Sequence, residues 1–463
     1  MQPEWKLTFE PVWRSAKTHE SAITFQALGA QNPVSRKCLK APSLSAEFTF
    51  PDVATQKNNS PLRHFMNQSN RLHHSRRNAL ARAACTALAL LTMPAITRAQ
   101  TTAAAPATIK IANILELSGG GATAGTNFKN GVEMAVQEIN AAGGILGKKI
   151  ETTTLDTQSN PGVAKGLTQK AVDDGVFAVF GPVFSGSIMV SMAETKRAEV
   201  INFTGGEAAA ITQQGNPYIF RTSFTQTTAM PKVARYIANN VKAKTVAVIF
   251  VNNDFGKGGR DAINKALDAL GVKVVADIST DAGQIDFSAP VLKAKQSNAD
   301  ALFVYTNEEE SARALRELRK QGWTKPIVGE TTLTGQKVIE LAGEAANGAV
   351  AHVGLTVDAP NPLMLQFKAR FYQNYKYISD HNGIKGYTGI YLLKAAIEKA
   401  GKLDRKLVAQ TLHGLQVSAA KHPGVLMDVS MDANGDLDRE SFVVEVKNGK
   451  QEVKEILAAL GKK

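Results

Sequence analysis

The sequence predicts an α/β protein of two doubly wound lobes, and three observations predict it. Strand-like and helix-like segments alternate from Ala107 to Arg221, and the alternation restarts after Arg221, each series covering roughly 120 residues. Several strand segments are short and continuously apolar, such as "VFAVFG" at Val176–Gly181, the pattern of parallel strands covered on both faces. The composition is 44% hydrophobic, 21% charged and only 6% aromatic. That is too apolar for a disordered chain and too poor in aromatics for a typical β-sandwich. A chain of 463 residues has room for two or three domains.

Taken in order, Thr108–Leu117 reads as a strand and Phe128–Asn140 as a helix, with Val132, Ala135, Val136 and Ile139 on one face and Gly143-Gly144 as its stop. A strand follows at Lys148–Asp156, then a helix entered through Pro161, the strand at Val176–Gly181, a helix from about Ser187 to Arg197 and a strand at Val200–Phe203. The second series predicts a helix at Pro231–Asn239, a strand "TVAVIFV", a helix at Gly256–Leu270, a strand "VKVVADIS" and a helix near Ala289–Gln296. Strand "DALFVYT", a highly charged helix "EEESARALRELRKQG" and strand "KPIVGE" complete it. Residues 361–412 carry three helical segments, and the tail predicts a hairpin about Asn434-Gly435. Helices that follow the second series and return to the first lobe would leave several chain crossings, and so a hinged cleft.

The first hundred residues read differently. Residues 72–100 place Arg76, Arg77 and Arg82 before an apolar run from Ala83 to Ile96, followed by Thr97-Arg98-Ala99. That layout is a secretory signal cleaved after Ala99, giving a mature start near Gln100; the run is too short to span a bilayer. Ser75-Arg76-Arg77 has the form of a twin-arginine signal, although Ala79 stands where a bulky apolar residue is usual. Cys85 precedes most of the apolar run, which argues against a lipoprotein. Residues 1–65 lack periodicity and precede Met66, so they read as a non-native or disordered extension, with Met66 as the start and 66–99 as the signal peptide.

Charge and motifs exclude several functions. The net charge of +13 suggests an anionic partner until it is located: the first 99 residues hold 13 Lys and Arg against 5 Asp and Glu, and the rest hold 41 against 36. The body has no basic run interleaved with aromatics, so no nucleic-acid partner is expected. Both cysteines, Cys38 and Cys85, precede residue 100. The body therefore has neither a disulfide nor a thiolate nucleophile. H-E-x-x-H, G-x-S-x-G and the P-loop pattern are absent, and His352, His381, His413 and His422 are not paired at metal-ligand spacing. No metal, no cofactor and no enzymatic activity are expected.

Three loops at strand ends are candidate binding elements, where ligands sit in open α/β sheets. "LSGGGATAG" contains Gly119-x-Gly121-x-x-Ala124, a dinucleotide-fingerprint form, but the acidic residue closing the next strand, Asp156, comes 35 positions after Gly121 instead of about 20. Its glycines, and Ser118 before them, still allow close approach of backbone N–H groups to an anion. Ser185-Gly186-Ser187 opens a helix, where hydroxyls and free amides suit a carboxylate, or where either serine could act only as an N-cap. Gly205-Gly206-Glu207 offers a carboxylate for a ligand ammonium, or else a Thr204-x-x-Glu207 capping box. "MDANGDLD" imitates a calcium loop through Asp432, Asn434 and Asp436, but Leu437 stands where Gly is needed, so a hairpin turn is preferred.

Together these segments resemble the periplasmic leucine/isoleucine/valine-binding proteins, the solute-binding components of ABC importers. The resemblance rests on "IKIANILELSGGG…NGVEMAVQEINAAGGILGKKIE", "FGPVFSGS", "NPYIFRT", "NNDFGKG", "DFSAPVLKAK" and "ANGDL", and covers nearly all of 107–463. It implies a type I periplasmic-binding fold whose lobes are joined by a three-strand hinge, with crossings near Arg221–Thr225, His352–Leu355 and Met427–Asp438. It implies a first lobe of 107–224 plus 355–428 and a second of 225–354 plus 429–463. Residue by residue, it implies that Ser185 grips the ligand carboxylate and that Gly206 and Glu207 contact carboxylate and ammonium. Phe255, Asn307 and Thr331 fall at second-lobe positions. Two positions depart: Thr331 stands where an ammonium-binding Glu is usual, and Ala124 where an aromatic is usual. Leucine itself is thereby put in doubt, while other amino acids, amides and aromatic acids stay open.

The expected function is a secreted, monomeric, periplasmic solute-binding protein that delivers its ligand to a membrane permease. A ligand sensor of the same fold and an NAD-dependent enzyme are the alternatives. The first is disfavoured by the export signal and the lack of a signalling domain, the second by the fingerprint spacing.

Overall fold

A computed structural model describes residues 108–461. The expected extension at 1–65 and signal peptide at 66–99 lie outside the described residues. The first lobe is built from β1 (Thr108–Leu115), α1 (Ala122–Ala141), β2 (Lys149–Asp156), α2 (Pro161–Asp173), β3 (Ala178–Phe180), α3 (Ser185–Arg197), β4 (Ile201–Thr204) and β5 (Ile219–Arg221). Its sheet runs β2-β1-β3-β4-β5 and every pair is parallel. The central strands β3 and β4 are buried along their whole length, as the apolar runs require. Across β3, β4 and β5, Phe180 stacks on Phe203 at 5.2 Å between centroids and Phe220 lies tilted against Phe203 at 5.7 Å.

The second lobe follows as α4 (Gln226–Arg235), β6 (Thr245–Val251), α5 (Asp254–Asp268), β7 (Lys273–Thr280), α6 (Ser288–Gln296), β8 (Ala301–Tyr305), α7 (Glu308–Lys320), β9 (Ile327–Glu330), α8 (Gln336–Ala342) and β10 (Ala349–Val353). The chain then returns with α9 (Pro362–Tyr375), α10 (His381–Ala400) and α11 (Arg405–Leu412), and α10 packs along α1 on the first lobe. The tail holds β11 (Gln416–Val417), β12 (Val429–Met431), β13 (Leu437–Asp438), β14 (Ser441–Lys447) and β15 (Lys450–Leu457). The second sheet runs β15-β14-β10-β9-β8-β6-β7, with β14 and β15 antiparallel additions to a parallel core.

Local chemistry fixes the element starts. Asn160 caps α2, its side chain accepting from Gly162 and Val163 amides at 2.8 and 3.2 Å, with Pro161 preset for the first turn. Helix α4 differs from expectation: it begins five residues before Pro231, because extended Thr225 caps it through its carbonyl, which takes the Thr228 and Ala229 amides. Pro231 therefore lies inside the helix, which continues as a wide turn over Tyr236–Val241 and ends at left-handed Lys242. The tail also differs. Besides the turn at Asn434-Gly435 there is a second hairpin, β14–β15, closed by Asn448-Gly449 with φ of 50° and 74°.

Three crossings join the lobes, after β5, after β10 and between β13 and β14. The boundary expected at residue 429 falls inside a small sheet: β12 pairs with both β11 and β13, and only from Ser441 does the chain join the seven-stranded sheet. Arg221, fully buried on the first crossing, ties this sheet down. Its Nε meets Asp436 at 2.6 Å, Nη1 donates to the Gly206 carbonyl at 2.6 Å and Nη2 to the Ala208 carbonyl at 3.0 Å. Gly435 must be glycine here: its φ is +85°, and a Cβ would lie 2.3 Å from the Ile219 carbonyl oxygen.

Candidate functional site

A cavity of about 380 Å³ lies between the lobes, lined by loops at the carboxyl ends of strands in both sheets. On the first lobe its wall comes from Val183–Ser187 between β3 and α3, from Gly205–Glu207 after β4, and from His381, Asn382 and Lys385 on α10. On the second it comes from Asn253 and Phe255 at the start of α5, Gly283 after β7, Asn307, Glu308 and Glu310 around the start of α7, and Thr332 after β9. The lobes touch around it. Thr123 donates to Glu309 at 2.9 Å, Tyr305 to Glu207 at 3.0 Å, and Asn382 Nδ2 to Glu308 at 3.4 Å.

Seven of the nine residues expected from the sequence line this cavity: Ser185, Gly186, Ser187, Gly206, Glu207, Phe255 and Asn307. Neither serine caps α3, whose N-cap is Phe184 with no side-chain bond. The Ser185 hydroxyl accepts from the Ala208 amide at 3.3 Å and so pins the neighbouring loop. The Ser187 hydroxyl is buried beside the Glu116 carboxyl, whose pKa it lowers against the effect of burial. The loop geometry is forced at Gly181, where φ is +93° and a Cβ would lie 2.3 Å from the Ile114 carbonyl oxygen. Thr204 does not form the alternative capping box; its hydroxyl donates to the Pro182 carbonyl at 2.9 Å.

Two expected residues are elsewhere. The Ser118 side chain is exposed and donates to Asp156 at 2.7 Å, and the Thr331 hydroxyl donates to Glu330 at 2.7 Å; neither lines the cavity. Asp156 also receives the Leu117 and Gln158 amides at 2.9 and 2.8 Å, and these hydrogen bonds hold its carboxyl below the usual range although slight burial opposes them. The carboxylate that a dinucleotide would need is thus committed to shaping the glycine loop. Asp432 is similarly engaged in its turn, accepting the Asn434 and Asp436 amides.

The sequence reading passed over four side chains that decide the electrostatics. Glu116, at the end of the first strand, is buried and accepts the Val183 and Phe184 amides at 3.0 and 3.1 Å, bracing the α3 loop from behind; burial raises its pKa. Lys385, on α10, meets Glu207 at 3.4 Å, and both side chains are buried. Glu207 is therefore already paired, and is not the free anionic partner the sequence suggested. Burial pushes its carboxyl up to about 7, Glu330 adds to the rise, and Lys385 with the Tyr305 hydroxyl opposes it. Tyr305 also carries Phe255, the rings stacking at 4.1 Å. Glu308, the fourth, is pushed up to about 8, by burial first and by Glu309 and Asp380 next. Asn307 is occupied by its own helix, its side chain bonding Glu310 at 3.2 Å. Among the described residues no cluster of three or more His, Cys, Asp and Glu is placed to hold a metal ion.

Sequence comparison places this architecture. The chain is 28% identical over 344 residues to the leucine-, isoleucine-, valine-, threonine- and alanine-binding protein of Pseudomonas aeruginosa, covering 73% of this chain and 89% of the relative. It is 27% identical over 343 residues to the Leu/Ile/Val/Thr-binding protein of Salmonella typhimurium, covering 73% and 90%. Among solved structures, a leucine-binding protein from Thermotoga maritima superposes with a TM-score of 0.70 at 26% identity, covering 76% of this chain and 99% of that one. A branched-chain amino acid transporter substrate-binding protein from Streptococcus pneumoniae, solved with isoleucine, gives 0.70 at 27%, with the same coverage. A solute-binding protein from Rhodopseudomonas palustris, solved with 3,4-dihydroxybenzoic acid, shares the fold, with a TM-score of 0.70 at 22% identity, covering 77% and 98%. The neighbours have the type I periplasmic-binding fold, which this two-lobed architecture matches. The family profile described as periplasmic binding protein matches residues 108–451, and the chain belongs to that family.

Proposed function

We propose that this protein captures a small carboxylate, an amino acid or a related acid, in the interlobe cavity and delivers it to the membrane permease of an ABC importer. The observation that carries the reading is the amino terminus of α3 in the cavity wall. The amides of Ser185, Gly186 and Ser187 belong to the first turn, where no intrahelical carbonyl faces them, and the helix end favours negative charge. The Ser187 hydroxyl lines the same place and ties the helix start to the Glu116 carboxyl behind it. A ligand that touches both walls binds the closed arrangement more tightly than the open one, and closure follows from that difference. The binding names of the relatives and the isoleucine complex of the Streptococcus pneumoniae protein support the amino-acid class. Export with cleavage near Ala99, action as a monomer and the absence of catalysis belong to the same reading. N-terminal sequencing of the natural product tests the first.

Calorimetry of the purified chain against a panel of amino acids and aromatic acids is the direct experiment. Binding of one panel member, weakened by Ser185→Ala with Ser187→Ala, is the expected result. Silence across the whole panel rejects the proposal.

A further inference from the structure

Six acidic side chains lie in or behind the cavity wall, and five are satisfied, Glu116 by the Val183 and Phe184 amides. Glu207 has Lys385 and Tyr305. Glu310 accepts from the Gly283 amide at 2.5 Å and from Asn307. Glu330 accepts from Thr331 and lies 3.2 Å from His352 Nδ1. Asp380 caps α10 through the Asn382 and Gly383 amides. Glu308 is the exception. It is 4% exposed, and besides its own backbone amide its polar neighbours are Asn382 Nδ2 at 3.4 Å and His381 Nε2 at 3.8 Å. Burial and the nearby Lys385 hold His381 well below its ordinary pKa, so it brings no positive charge. A buried carboxyl with such long contacts is costly unless something else completes it.

An independent observation points to the same place. Asn382 is fully buried and turns its Nδ2 toward Glu308 and Asp380, leaving Oδ1 in the cavity wall without a partner. The Thr332 hydroxyl, buried and lining the cavity, is unpartnered too. The α3 end therefore presents donors, and the α7 end presents unfilled acceptors, one from each lobe.

We propose that Glu308, with the side-chain oxygen of Asn382, holds a cationic nitrogen of the ligand, so that the solute is an amine-bearing acid and not a simple carboxylic or aromatic acid. The inference rests on the reading of the cavity as the solute site, and specifies it. The resemblance would put such a carboxylate at Thr331, one strand later; here Thr331 is turned to Glu330, and the anionic group comes from the start of α7. A bound ammonium would displace the proton that Glu308 holds near neutral pH. The charged or titratable groups facing Glu308 are Glu309, Asp380, His381 and Lys385.

The test is calorimetry of the full chain with matched probes: L-leucine and isocaproate, L-phenylalanine and hydrocinnamate, γ-aminobutyrate and butyrate. In at least one pair the amine should bind about 30-fold or more tighter than its partner acid. Glu308→Gln should collapse that ratio. Binding of the amine at pH 7 should also release up to about one proton, read as an enthalpy that changes with the buffer's ionisation heat. If Glu308→Gln does not fold, the wild-type ratio and the proton release decide. An acid that binds as tightly as its amine, or a ratio unchanged by Glu308→Gln, overturns this proposal and leaves the cavity reading standing. No binding by any probe overturns both.

Discussion

The two walls of the cavity solve different problems. The first-lobe wall is made of helix amides and serine hydroxyls, and its Glu207 and Lys385 side chains are paired with each other. The second-lobe wall carries Phe255 stacked on Tyr305 and the acids at the start of α7. One wall presents dipoles to an anion, while the other presents an aromatic face and acidic groups. A solute that satisfies only one wall gains nothing from closing the lobes, so selectivity resides in the difference between them.

Breaking the internal pair should have the largest effect. Lys385→Met leaves Glu207 buried without its cation and should cost about 3 kcal/mol in urea unfolding, and adding Glu207→Gln should recover part of the loss. Next comes the dipolar wall itself: Ser185→Ala with Ser187→Ala should weaken a bound carboxylate by about 10-fold or more in calorimetry while Phe255 stays in place.

A pH effect sharpens the contrast further. The Glu308 carboxyl is pushed up to about 8 and Glu207 up to about 7, so the folded chain holds protons there that the unfolded chain has lost. Stability should therefore fall as pH rises from about 6.5 to about 8. Below that window, His352, pushed down to about 3 by burial, and His381, also lowered, work the other way, because the unfolded chain takes up protons that they refuse. Unfolding midpoints across this range, with Glu308→Gln flattening the upper part, check the assignment. Smallest of all, Ser118→Ala should leave affinity within about twofold, since its hydroxyl is committed to Asp156 outside the cavity.

The fold was legible because each lobe repeats one pattern: apolar strands of period-independent hydrophobicity, then helices with a polar face. Ser185–Ser187 could be found for the same reason, since they follow such a strand directly. Lys385 could not. It sits in a mostly apolar helix whose partner, Glu207, lies 178 residues earlier, and no local spacing records that contact. Glu308 was visible but misleading, because three acids in the first turn of a helix normally answer the helix dipole in solvent. Burial singled out Glu308 and Glu310: α10 reaches the first through Asn382, and the loop after β7 reaches the second through the Gly283 amide. The alternative of a capping box from Thr204 to Glu207 is not realised, because the chain there forms only a short turn at Ala209–Ile211, with no α-helix to cap.

Arg221 and Gln226 stand five positions apart on the first crossing. The guanidinium grips the carbonyls of Gly206 and Ala208, while the Gln226 amide donates to the Phe255 carbonyl at 2.7 Å and to the Tyr305 hydroxyl at 3.1 Å. Each jaw of the binding cleft is thus bolted to one end of the same short axle. A rotation of the lobes about that axle would leave these hydrogen bonds within each jaw in place and alter the gap between the two jaws.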